Sequence, residues 1–139
     1  MAALLGCGPE QPVWTPQALQ ESYEQTLADI RDVLSERLPA LQWGEQKPAA
    51  AYRSGWSCIA TYASYGSRVG LHQWEDDLER AVGDVIAEHG FGELKDEGGG
   101  TGGWVTHTSA DDRGVTLTIL SKGSVEVHVG VPVDDSYCD

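Results

Sequence analysis

The chain has 139 residues, 40% hydrophobic and 22% charged, the size and balance of one globular domain that can build a core without a metal. Nine Lys and Arg face 22 Asp and Glu, a formal net charge of −13, and the cations are scattered from Arg31 to Lys122 with no basic stripe. That argues against nucleic acid and against binding an anionic membrane surface through the protein's own side chains. The acidity reads either as solubility or as a match for a basic partner.

The first feature along the chain is Ala3-Leu4-Leu5-Gly6-Cys7-Gly8. It resembles a bacterial lipobox, with Leu4 at the aliphatic position, Gly6 at the small position before the cut and Cys7 as the acylated cysteine. Only Met1 to Gly6 precede Cys7, whereas export needs a basic and apolar leader. Either that leader lies upstream or Cys7 belongs to the frayed start of a cytosolic chain. Gly8-Pro9-Glu10-Gln11-Pro12 reads as a polar tether. The expected organisation is therefore a lipobox-like segment and tether over residues 1–14 and a single domain over 15–139.

There are three cysteines, an odd number. If Cys7 carries lipid, Cys58 and Cys138 remain as a pair, and an exported chain favours a disulfide between them. Two free thiols are the alternative expected in the cytosol.

Thr15 to Leu38 is the clearest helix. Thr15 suits the N-cap and Pro16 the first helical position. Leu19, Tyr23, Leu27, Ile30, Leu34 and Leu38 form one apolar stripe, and Pro39 stops the helix. Leu41-Gln42-Trp43 begins a short strand, and Ser57 to Ala63 forms another before Gly66, Ser67 and Gly70 break the pattern. A second helix is expected from His72 to His89, its apolar face carrying Trp74, Leu78, Ala81, Val82, Val85 and Ile86, with Gly90 as cap. Glu93 to Gly103 reads as a charged and then glycine-rich loop.

Three strands follow at Trp104–Thr108, Val115–Ser121 and Val125–Val133, joined by turns into a meander. In the last, Val125, Val127, Val129, Val131 and Val133 point one way, and Glu126, His128 and Gly130 the other. One face is then wet and the other packed. The expected fold class is α+β, a two-layer domain with both helices on one face of an antiparallel sheet of about four strands.

No catalytic constellation emerges. The run Gly98-Gly99-Gly100-Thr101-Gly102-Gly103 lacks the Lys and the following helix of a phosphate loop and reads as a connection. His107 and His128, with Asp111 nearby, could share the wet face, but zinc sites need three or four converging ligands, so no metal or cofactor is expected. Glu75, Asp76 and Asp77 suit the helix dipole better than acid–base work. The chain is read as not an enzyme. Trp56 and Trp104 begin strands beside glycines and either fill the core or, with His107 and His128, form an interaction surface.

Taken together, the lipobox-like Cys7, the long first helix, the strand holding Cys58, and the second helix ending in Gly90-Phe91 make a pattern. A hairpin around Arg113-Gly114-Val115-Thr116-Leu117 and a last strand running to Cys138 complete it. The pattern resembles the LppA-like small lipoproteins of actinobacteria over most of Ala18 to Cys138. The resemblance implies an exported, membrane-tethered domain and carries no catalytic residues. The expected function is an extracytoplasmic, lipid-anchored binding or interaction module at the cell membrane. It would touch the membrane through the lipid alone and take a protein or small-molecule ligand. The competing reading is a cytoplasmic acidic interaction protein, such as an immunity protein for a basic toxin, with free thiols.

Overall fold

A computed structural model describes residues 13–67, 76–99 and 105–139. Cys7, His72, Trp74 and Trp104 lie outside the described residues. Helix α1 spans Pro16–Arg37, with the Thr15 hydroxyl accepting from the Ala18 amide at 3.0 Å. Leu19, Tyr23, Leu27, Ile30 and Leu34 are fully buried along one stripe. Helix α2 spans Asp76–Glu88 and buries Leu78, Val82 and Ile86, four residues apart each time. Gly90 leaves it at φ +87°, a conformation cheap only for glycine, and the Phe91 amide returns to the Ile86 carbonyl at 3.1 Å.

The strands are β1 (Gln42–Trp43), β2 (Ala50–Ser54), β3 (Ser57–Ser67), β4 (Lys95–Gly99), β5 (Val105–Ala110), β6 (Thr116–Ser121) and β7 (Ser124–Pro132). They form one antiparallel sheet in the order β1-β3-β7-β6-β5-β4, with β2 sharing the β1 edge of β3. Both helices lie on one face, α1 across β3 and β7 and against α2. Val125, Val127, Val129 and Val131 of β7 join Leu117 and Ile119 of β6 beneath them, all nearly or fully buried.

The α+β class holds, but the sheet has seven strands rather than about four. β2 and β4 are the additions, both on the sheet's rims, where backbone pairing rather than an apolar side-chain pattern defines the strand. β4 lies within the stretch expected to be loop. β3 also runs on through Gly66 and Ser67, because both pair with β1 and β7. Gly66 is there for space: a Cβ would lie 2.6 Å from the Leu41 Cδ1 atom.

Cys58 and Cys138 are bonded, with their Cα atoms 5.9 Å apart. Cys138 closes a 3-10 turn, Asp135–Cys138, that lies beside β2 and β3. Arg53 adds ion pairs to Asp135 at 3.1 Å and Asp139 at 3.4 Å, both exposed and therefore weak.

Candidate functional site

Several polar clusters lie between the helices and the sheet or at the helix ends, and each has a packing role. Asp111 takes the Tyr23 hydroxyl on one oxygen and the amides of Arg113 and Val115 on the other, at 2.9 and 3.0 Å. The Arg113 guanidinium covers the rings of Tyr23 at 4.8 Å and Trp14 at 5.6 Å, and the Trp14 indole donates to the Arg113 carbonyl. Burial first, and then the Asp111 carboxylate, hold the Tyr23 hydroxyl well above its ordinary pKa. This cluster fastens the β5–β6 turn to α1, and Trp14 is packed into it.

A second cluster has the composition of a hydrolase triad. His89 lies 2.8 Å from Asp29 and 3.1 Å from the Thr26 hydroxyl. Thr26 is 2% exposed, however, and the two contacts of His89, to Thr26 and Asp29, tie the end of α2 to α1. A substrate carbonyl has no approach to that hydroxyl, so the arrangement is a clamp. Gln25 first, and His89 second, keep the Asp29 carboxyl below its usual range. Arg31, Gln46 and Ser64 form a third network, in which Arg31 donates to Gln46 at 2.6 Å and to Ser64 at 3.1 Å. Gln46 in turn donates to the Ala63 carbonyl.

His107 corrects the sequence reading. It is 1% exposed on the helix-facing side of β5, with Glu79 of α2 2.7 Å from its Nε2 and Asp96 at 4.0 Å. The register explains this: His107 pairs with Ile119, which pairs with core-facing Val127. His128 pairs with Thr118 and Ala63 on the opposite face. In a sheet, one step of parity separates core from water, so His107 and His128 cannot share a surface.

The helix-free face of the sheet carries the chemistry that is turned outward. Reading across the strands, one rung holds Tyr52, Ile59 and Pro132. The next holds Thr61, Gly130 and Thr116, and the one after it Ala63, His128, Thr118 and Thr108. A further rung brings Tyr65, Glu126 and Leu120 into line. Around Gly130 this face dips into a groove of about 320 Å³, lined by Tyr52, Thr61, Thr116, Thr118, His128 and Pro132 among others. His128 Nδ1 lies 2.5 Å from Glu126 Oε2. A carboxylate can only accept, so Nδ1–H donates and Nε2 is the ring nitrogen left for another partner.

Aromatics gather at the β2–β3 end. Tyr52 is 50% exposed, and Trp56, which follows Gly55 in a two-residue hairpin loop, is 98% exposed. Gly55 at φ +60° supplies the left-handed residue such a loop requires. Of the proposed surface residues, the structure thus turns Trp56 and His128 outward and His107 inward. Sequence reasoning missed Tyr52, Thr61, Thr116 and Thr118; the threonine alternation in β6 was a signal for the last two alone.

No protein-family model matches the sequence, and no curated protein does. Among solved structures, the fold is similar to that of the putative lipoprotein LppA from Mycobacterium tuberculosis. The TM-score is 0.59 at 12% sequence identity, over 86% of this chain and 79% of that one, so what the two chains share is an LppA-like α+β fold.

Proposed function

We propose that the chain is the extracytoplasmic, lipid-anchored domain of an envelope lipoprotein, working as a binding module and not as an enzyme. Cys7 is the anchor, the open face of the sheet is the binding surface, and the two helices are its scaffold. The observation that carries the compartment is the Cys58–Cys138 bridge, since such bonds persist outside the reducing cytosol. The LppA-like fold and the lipobox-like run at Cys7 support the same reading. One acyl chain alone is a marginal anchor and two suffice, so a multiply acylated cysteine holds an acidic domain at a membrane its side chains would not bind. The acid–imidazole clusters at His89 and His107 are engaged in helix packing, which leaves the open face as the surface with chemistry to offer.

Thiol counting by mass tests the compartment. The unacylated chain, made in an oxidising compartment and alkylated, should take one label before reduction and three after it, the first on Cys7. Three labels under both conditions would sink the envelope reading and return the chain to the cytosolic, acidic interaction class.

A further inference from the structure

Gly130 stands among the outward residues of β7, between inward Val129 and Val131, and a glycine inside a strand needs a reason. A left-handed backbone is one reason, but among the described residues the glycines with positive φ are Gly55, Gly90, Gly114 and Gly123. A bulge is another, but β7 pairs without a register shift along both β3 and β6 through this residue. Close approach of the chain itself is a third. A Cβ here would meet Thr61 Cγ2 at 3.5 Å and the Ala60 carbonyl at 3.6 Å, which is ordinary contact. The fold therefore has room for a Cβ at this position. What glycine provides is the floor of the groove.

We propose that this groove binds a neutral sugar residue of an oligosaccharide, seated over Gly130. The proposal rests on the reading of the open face as a binding surface and deepens it by naming the ligand class. Thr61 and Thr116 flank Gly130 on its own rung, and Thr118 and His128 stand on the next, so hydroxyl and imidazole groups border the floor. These groups both donate and accept hydrogen bonds, as sugar hydroxyls do. Tyr52 and Pro132 close the other end with an aromatic ring and an apolar edge, suited to the C–H face of a pyranose.

Charge narrows the class further. Among the described residues no Lys, Arg, Asp or Glu lines the groove, so neither a phosphate or carboxylate nor a cation finds a permanent counter-charge there. The net charge of −13 repels polyanions at longer range. Glu126, the nearest carboxylate in the ladder, is occupied by His128 and orients that ring. A volume of about 320 Å³ stands at the small end of ligand sites and suits one hexose ring with its neighbours outside. Trp56 stands exposed at the hairpin tip beyond the Tyr52 rung.

The test is a printed array of neutral hexose and N-acetylhexosamine oligosaccharides beside sialylated and sulfated ones. It is probed with the disulfide-bonded chain and with Gly130→Val, Tyr52→Ala and Thr118→Val. The wild type should bind neutral glycans. Gly130→Val should abolish that binding with a Tm at or above wild type, since valine suits a strand better than glycine does. Tyr52→Ala should weaken it by about tenfold, the worth of one aromatic contact, and Thr118→Val measures the hydroxyl contribution. No neutral glycan bound, or binding indifferent to Gly130→Val, overturns the proposal. Binding confined to sialylated or sulfated glycans also overturns it. Each of these failures leaves the thiol count untouched, so it is distinguishable from a failure of the envelope reading.

Discussion

Replacing Cys138 with serine lowers stability by up to about 4–5 kcal/mol, because the bridge closes a loop with a sequence separation of 80 residues. At about 2–4 °C per kcal/mol for a chain of this size, Tm falls by about 10 °C or more. The loss comes from the unfolded chain regaining the freedom to separate its ends. It should therefore be matched by reducing the wild type, and the variant should be indifferent to reductant. Cys58 is 2% exposed and tolerates a thiol as a small apolar group, so a Cys58→Ala/Cys138→Ala double variant should fall close to the single one. Thermal unfolding with and without reductant measures all of this. A Tm shift of about 1 °C or less on reduction would show that the bridge contributes nothing to the fold.

Asp111→Ala costs about 3 kcal/mol, because it strands several partners at once. The carboxylate is 2% exposed and holds the Tyr23 hydroxyl, two turn amides and the Arg113 guanidinium at 3.7 Å. Without it the Tyr23 hydroxyl is left in the core with no acceptor, and Arg113 loses its counter-charge. In a double-mutant cycle with Tyr23→Phe, the pair should show a coupling of about 1 kcal/mol or more. Purely additive losses would mean that the turn is not fastened through Tyr23.

The same cluster has a pH signature. A tyrosine whose pKa is raised by folding stabilises fully below its ordinary value of 10.0, and that contribution is lost as pH rises above it. Ultraviolet titration should find Tyr23 ionising well above the ordinary range, with Tyr62 and Tyr65 also raised by burial and Tyr23→Phe identifying its share of the signal. In Asp111→Ala Tyr23 should move down but stay raised, since burial is the larger cause.

The parts of this fold that were legible in the sequence are those where side chains repeat against the core. The α1 stripe from Leu19 to Leu34, its Thr15–Pro16 start, the Gly90 cap and the valines of β7 all belong to that class. β2 and β4 were not legible. Ala50-Ala51-Tyr52-Arg53-Ser54 and Lys95-Asp96-Glu97-Gly98-Gly99 have no apolar alternation, because rim strands are held by backbone pairing to an inner neighbour. The pairing of Cys58 with Cys138 followed from setting Cys7 aside, and the structure forms that bond.

The candidate site was half legible. The outward parity of Glu126, His128 and Gly130 followed from the valines, but a strand's parity says nothing of its neighbours. Only register places Thr61 and Thr116 beside Gly130 and turns the gap into a groove. His107 shows the opposite failure. Val105-Thr106-His107-Thr108-Ser109 has no strongly apolar face, so its parity was undetermined until pairing with Ile119 turned the imidazole inward.

The most direct test of the account is the fate of Cys7 in cells. The gene, expressed from its own locus in cells fed a clickable palmitate analogue, should yield labelled protein in the membrane fraction, open to protease added outside. Cys7→Ser should remove both the label and the membrane association while leaving the Cys58–Cys138 bridge intact. Unlabelled protein in the soluble cytosolic fraction, with its thiols free, would contradict the account at its centre.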